Sequence, residues 1–137
     1  MLSMKAKYAL RALMVMAKNE KKMLAAKTIA KDADIPQKFL ENILQELRHQ
    51  GIVESKRGIF GGYFLIVPAS KIFVGNLIRM LDGPLAPIRC ASITAYQKCD
   101  DCIDEKTCAI RYTMMEVRNA ISNVLDNKSL LEMMNKK

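Results

Sequence analysis

The stretch from Leu24 to Val67 constrains the fold most, because two short runs of helical periodicity and two strand-like runs follow one another almost without spacer. Leu24, Ala25, Ile29 and Ala30 can share the inner face of a first helix spanning Leu24 to Lys31. The chain turns at Asp32-Ala33-Asp34-Ile35, and Pro36 opens a second helix. Its missing N–H costs nothing there, since first-turn donors have no intrahelical partner. Phe39, Leu40, Ile43, Leu44 and Leu47 recur with helical period, and Gly51 supplies the stop. Short helix, tight turn and longer helix with polar first turns make a helix-turn-helix, whose second helix enters the major groove N-terminus first. The exposed side of that helix offers Gln37, Lys38, Glu41, Asn42 and Gln45. An amide can pair two edges of adenine, a carboxylate can accept from cytosine, and a lysine can donate to guanine or phosphate. Any surface helix can carry such residues, so a plain helical hairpin stays open as the other reading.

The next stretch favours DNA. Ile52–Arg57 and Tyr63–Val67 flank Gly58-Ile59-Phe60-Gly61-Gly62, which reads as a β-hairpin with a glycine-rich tip. A hairpin directly after a recognition helix is a wing, and Lys56, Arg57 and Gly58 are placed to reach a minor groove or phosphate. A nucleotide-binding loop is a remote reading, because no Lys-Ser/Thr ending and no following helix accompany the glycines. The plain alternative is a flexible turn that uses glycine for positive φ. A net charge of +8 agrees with a polyanionic partner, although basic residues also serve simply to solvate a surface.

On either side lie further helices. Met4–Asn19 is apolar almost all round except for a stripe of Lys7, Arg11 and Lys18, so most of its surface is expected to be buried. A lysine-rich turn, Glu20-Lys21-Lys22, follows it. Pro68 ends the hairpin, and Val74–Asp82 is a helix with Leu77, Ile78 and Leu81 inward before Gly83, Pro84 and Pro87 break the chain. His49, the single histidine, falls near a helix C-terminus, where it favours the dipole more readily than it serves as a base or ligand.

All four cysteines then occur together: Cys90, Cys99, Cys102 and Cys108. Thiolates are soft ligands, and four in one loop can close a shell around zinc or an iron–sulfur cluster. Two disulfides are the competing reading, but a chain of 137 residues, 50% of them hydrophobic, can bury a core as one domain without cystine staples. No cleavable leader is read at the N-terminus, and no apolar run approaches the roughly twenty residues of a membrane span. A cytoplasmic protein with reduced thiols is expected. Cys99-x-x-Cys102 also resembles a redox pair, yet the flanking Asp100 and Asp101 would weaken a nucleophile and no βαβ pattern surrounds it. No enzyme activity and no small-molecule substrate are expected.

Past the loop, Ile110, Met114, Val117, Ile121 and Val124 form a two-heptad seam, widened by Met115 and Leu125. The helix can cover its own domain or pair with a second copy. Pairing is favoured because a twofold axis gives a single recognition helix its half-site spacing. Ser129–Met134 is a short amphipathic stretch, followed by a lysine tail.

Taken together, Lys7-Tyr8-Ala9-Leu10-Arg11-Ala12-Leu13, Phe39-Leu40-Glu41-Asn42-Ile43-Leu44, Arg57-Gly58-Ile59-Phe60-Gly61-Gly62-Tyr63, Gly83-Pro84-Leu85-Ala86-Pro87 and the cysteine loop resemble the Rrf2 family over nearly the whole chain. The wing and the cysteine loop carry the resemblance most specifically. It implies a dimeric winged-helix transcription regulator that binds operator DNA. Cysteine-bearing members hold a [2Fe–2S] or [4Fe–4S] cluster and sense iron–sulfur status, nitric oxide or redox state. The positions matching Lys38, Glu41 and Asn42 face bases in that family, and the one matching Arg57 enters the minor groove.

One departure matters. The family's three cysteines map best onto Cys90, Cys102 and Cys108, which leaves Cys99 as an addition. The family's fourth ligand is often a histidine or an aspartate, at positions occupied here by Arg111 and Lys7, neither of them an iron ligand. Cys99 is the natural replacement, its nearness to Cys102 leaving open which of the two binds and which is a spare or redox-active thiol, and the alternatives to a cluster are a structural zinc or redox-switching thiols. The expected architecture is mainly α with a small β-hairpin: a winged helix-turn-helix over residues 1–83, a cysteine loop over 84–108, and a dimerisation helix with a tail over 109–137.

Overall fold

The computed structural model describes residues 2–20 and 22–135. The lysine turn at Lys21 and the end of the lysine tail therefore lie outside the described residues. Six α-helices and one antiparallel pair of strands are formed: α1 (Met4–Lys18), α2 (Ala26–Ala33), α3 (Gln37–His49), β1 (Val53–Lys56), β2 (Gly62–Leu65), α4 (Val74–Asp82), α5 (Ala109–Leu125) and α6 (Leu130–Asn135). Single 3-10 turns sit at Ala69–Lys71 and Arg89–Ala91.

Helix α1 is the hub. Ser3 caps it by accepting the Ala6 N–H and donates its own hydroxyl to Asp82 at the end of α4, so the first and fourth helices are tied at that corner. Ala6, Ala9, Ala12, Leu13 and Met16 are essentially inaccessible; the three alanines let neighbouring helices approach closely while Leu13 and Met16 fill the space between them. Ile29, Leu40, Leu44, Leu47, Val53 and Leu77 complete one core that runs through helices, strands and turns.

Two expectations are corrected. Leu24 and Ala25 are not helical: Leu24 forms an isolated bridge with Tyr63, through reciprocal backbone bonds of 3.0 and 2.8 Å, and Ala25 is the N-cap of α2. The extended Leu24 gives the hairpin a third edge, and satisfying two strand groups outweighs one more helical turn. This approach requires Gly62, whose added Cβ would collide with the Leu24 carbonyl. Phe39, expected inward, is 61% exposed, and its ring meets Tyr8 edge-on at 6.4 Å and 69°. A residue next to the buried stripe of a short helix can match the period and still lie outside the core.

The segment after α5 returns to the core. Phe73 and Ser129 form a bridge, Leu130 donates to the Ile72 carbonyl at 2.7 Å, and the Leu130 side chain is fully buried. A sequence reading of this stretch as merely amphipathic understates it, for α6 closes the core against α1 and the 3-10 turn at Ala69–Lys71. Gly75 in α4 meets the same closure: a Cβ there would run into the Asp126 carboxylate. Gly75→Ala is expected to destabilise the fold by about 1–3 kcal/mol through overpacking, read as a lowered urea midpoint.

Candidate DNA interface and cysteine site

Helix α3 divides cleanly. Leu40, Ile43, Leu44 and Leu47 are buried, whereas Gln37, Lys38, Glu41, Asn42 and Gln45 are all exposed on the other side. Gln37 donates to Glu41 at 3.2 Å, holding two of these polar groups in register along the helix. Pro36 is the N-cap and no side chain caps α3, so the positive end of the helix faces outward with free donors. Of the basic stripe on α1, Lys7 and Lys18 are exposed, while Arg11 stacks over Tyr8 at 5.7 Å and donates to the Asp34 carbonyl, bracing the turn between α2 and α3.

The wing is joined to α3 by a turn at Gln50–Ile52 and an ion pair, Arg48 Nε to Glu54 Oε1 at 2.9 Å. The Glu54 carboxyl also accepts the Ser55 N–H, and that bond, followed by Arg48, holds it below its ordinary range. Strand pairing runs from Val53 with Leu65 to Lys56 with Gly62, leaving Arg57 and Gly58 in the exposed tip. Gly61 is required there, because a Cβ would strike the Lys56 carbonyl.

Ile88, Cys90, Cys99, Cys102, Cys108 and Arg111 line one cavity of about 460 Å³, so all four sulfur-bearing side chains face a common space. Cys90, in the 3-10 turn, is buried; the other three are half-buried. The Cys99 thiol lies 3.8 Å from the Cys90 sulfur. That contact comes first in pushing the Cys99 thiol above its ordinary value, with burial next and the negative charge of Cys90, Asp101 and Cys102 behind. Cys108 is the N-cap of α5, its sulfur accepting the Arg111 N–H at 3.5 Å. Among the described residues no three His, Cys, Asp or Glu side chains are gathered closely enough to hold a metal ion. The donor chemistry nonetheless fits a thiolate-bound group: four soft ligands line one cavity, and a backbone donor points at one sulfur, the kind of contact that tunes cysteine-ligated iron.

Sequence reading missed what connects this loop to its neighbours. Arg111 and Arg118 lie seven apart on one face of α5. Arg111 Nε donates to the Cys90 carbonyl at 3.0 Å, and Arg118 Nη1 to the Ala91 carbonyl at 2.6 Å. The two guanidinium groups clamp the turn that carries Cys90. The heptad spacing of the arginines was the available signal, overshadowed by the apolar seam on the same helix. At the far end of α5, Asp126 takes a two-pronged bond from Arg79 of α4 at 2.7 and 2.9 Å. Arg79 holds the Asp126 carboxyl below its ordinary value of 3.8. The bridge therefore supports the fold above that pH and is lost as pH falls through the lowered value. Asp126→Asn is expected to cost less than about 1 kcal/mol, given the exposure of the pair, and the difference from the parent chain should vanish in acid unfolding titrations.

No residue of α5 is buried. Ile110, Val117 and Val124 are exposed, at 64%, 38% and 60%, and Met114 and Ile121 are half-covered. No helix is long and apolar enough among the described residues to cross a membrane.

The family described as "Rrf2: Iron-dependent Transcriptional regulator" matches residues 2–136. An rrf2-like HTH-type transcriptional regulator of Rhodobacter capsulatus is 40% identical over 138 aligned residues, covering 98% of this chain and 92% of its own. The structure of CymR, described as the global cysteine regulator of B. subtilis, superposes with a TM-score of 0.79 at 30% identity, covering 98% of this chain and 95% of that one. T. potens IscR gives a TM-score of 0.74 at 27% identity, over 98% and 85%. The mainly helical winged-helix fold expected from the residues is thus the fold observed, and the chain belongs to the Rrf2 family of DNA-binding transcriptional regulators, not to an enzyme family.

Proposed function

We propose that the protein acts in the cytoplasm as a homodimer binding a specific DNA operator. Its affinity is set by an iron–sulfur cluster, [2Fe–2S] or [4Fe–4S], held by Cys90, Cys99, Cys102 and Cys108. The observation that carries this reading is that all four cysteines line one cavity at the N-terminus of a helix in which no residue of the apolar seam is buried by the described chain. Bound there, the group supplies chemistry that responds to oxidants, nitric oxide and iron supply. The rest falls to the chain. Cys90 and Cys108 would hold the group from the 3-10 turn and the N-cap of α5, and drawing their sulfurs together would shift those two elements relative to each other. Arg111 and Arg118 pass that displacement to α5, and Arg79 with Asp126 passes it to the winged domain. Two recognition helices related by the α5 pairing then change their spacing. Lys38, Glu41, Asn42, Gln37 and Gln45 read bases, and Lys56, Arg57 and Gly58 of the wing contact the backbone and minor groove.

A structural zinc is the second reading, favoured by the tight turn in which Cys102 N–H donates to the Cys99 carbonyl at 3.1 Å, as a zinc knuckle would. Anaerobic reconstitution separates the two: brown protein with visible absorption and inorganic sulfide supports the cluster, and colourless protein with one zinc per chain supports zinc.

The pairing role of α5 has its own test. Val117→Glu places a charge in the middle of Ile110, Met114, Ile121 and Val124 without touching the core. Sedimentation should find the parent chain as a dimer and the variant shifted to monomer; a variant still dimeric would move the interface elsewhere.

A further inference from the structure

The tip of the wing carries two side chains that the turn does not need. Ile59 is 96% exposed and Phe60 93%, among the most exposed large apolar residues of the described chain. The glycines around them have structural reasons: φ is +113° at Gly58, and a Cβ at Gly61 would strike the Lys56 carbonyl. Ile59 and Phe60 have none, since neither is packed against the core. Polar residues at both positions would make the same loop more soluble, and adjacent exposed apolar side chains of this size mark contact surfaces. The hairpin is also held out firmly. Leu24 pairs with Tyr63 on one side, and Arg48 bonds Glu54 on the other.

We propose that Ile59 and Phe60 form an apolar wedge that enters the DNA minor groove beside the α3 footprint, seating on the sugar walls and partly unstacking a base step. The inference rests on the DNA-binding role of the wing and adds its apolar half. Charge complementarity selects this occupant. The pair follows the exposed cations Lys56 and Arg57 with one glycine between, so the tip is basic at its shoulder and apolar at its point. A duplex presents the matching order, phosphate at the groove edge and apolar sugar and base faces inside it. Apolar wedges of Phe and Ile kink duplexes by opening base steps, most readily at flexible pyrimidine–purine steps. Cations set affinity and salt dependence; the wedge adds burial and a bend, which salt barely affects.

The test uses the full-length protein and a duplex selected with it from a randomised library. Ile59→Ala/Phe60→Ala should weaken binding on the order of tenfold or more and reduce the bend seen by circular-permutation electrophoresis. The slope of log K against log salt should stay unchanged. Lys56→Ala and Arg57→Ala should instead lower that slope by about two each, one contact being lost from each wing of the dimer. Phe60→Leu should keep most of the bend. Melting temperature and sedimentation of each variant are measured alongside. Unchanged affinity and bend in the double variant overturn the wedge, and so does a loss traced to a changed oligomeric state, which would assign the tip to a second copy. If the parent chain selects no duplex at all, the DNA-binding role itself fails first.

Discussion

Alanine at Cys90 or at Cys108 should abolish the visible absorption of anaerobically reconstituted protein and remove every response of DNA binding to oxidants. These two sites are expected to matter most because each belongs to an ordered element: Cys90 to the turn clamped by Arg111 and Arg118, Cys108 to the N-cap of α5. Loss of either sulfur is not made good locally, as no second cysteine shares its turn or cap. Cys99 and Cys102 share a tight turn, so either has some freedom to replace the other, and their single alanine variants should keep part of the absorption. If the clamp carries the signal, Arg118→Ala should keep the colour yet blunt the response. Absorption and sulfide content report the first step, and the difference in DNA affinity with and without the group reports the second. A coupling of about 1.4–3 kcal/mol corresponds to roughly ten- to a hundredfold.

Asn42→Ala and Glu41→Ala in α3 should each cost about 1–3 kcal/mol of operator binding and relax selectivity at one base position. Both side chains are exposed on the face opposite Leu40, Ile43 and Leu44, so their removal leaves the core intact and the melting temperature unchanged. Lys56→Ala should weaken all duplexes alike. With about eight phosphates neutralised by a dimer, log K should fall with log salt at a slope near −7, and a flat response would contradict the assigned interface. Footprints on the selected duplex would show whether the two half-sites lie a helical turn apart, as a twofold axis requires.

Much of this was legible in the residues. The period of Leu40, Ile43, Leu44 and Leu47, the proline before it and the glycine after it determine α3 through local physics. The wing is equally local, since its glycines supply the positive φ and the close backbone approach that its turn needs. What could not be read was non-local. Leu24 is taken out of a helix by Tyr63, nearly forty residues further on, and only the path of the hairpin explains why. Leu130 is buried by a chain reversal after α5 that no periodicity announces. Arg111 and Arg118 matched the polar face of a seam, and their real partners, the carbonyls of Cys90 and Ala91, carry no side-chain signature at all. The cysteines were visible as a cluster of ligands, but their common cavity depends on how the loop folds back on α5. Phe39 shows the opposite error: a residue on the hydrophobic period that stays outside because its ring is used against Tyr8 at the surface.

The most direct measurement is the affinity of one reconstituted sample for its selected duplex, before and after anaerobic removal of the group by chelator, at a single fixed salt concentration. The binding curves should part by roughly ten- to a hundredfold, and should coincide when Cys90, Cys99, Cys102 and Cys108 are all replaced. Curves that coincide in the unmodified protein would mean that the cysteine site does not set DNA affinity.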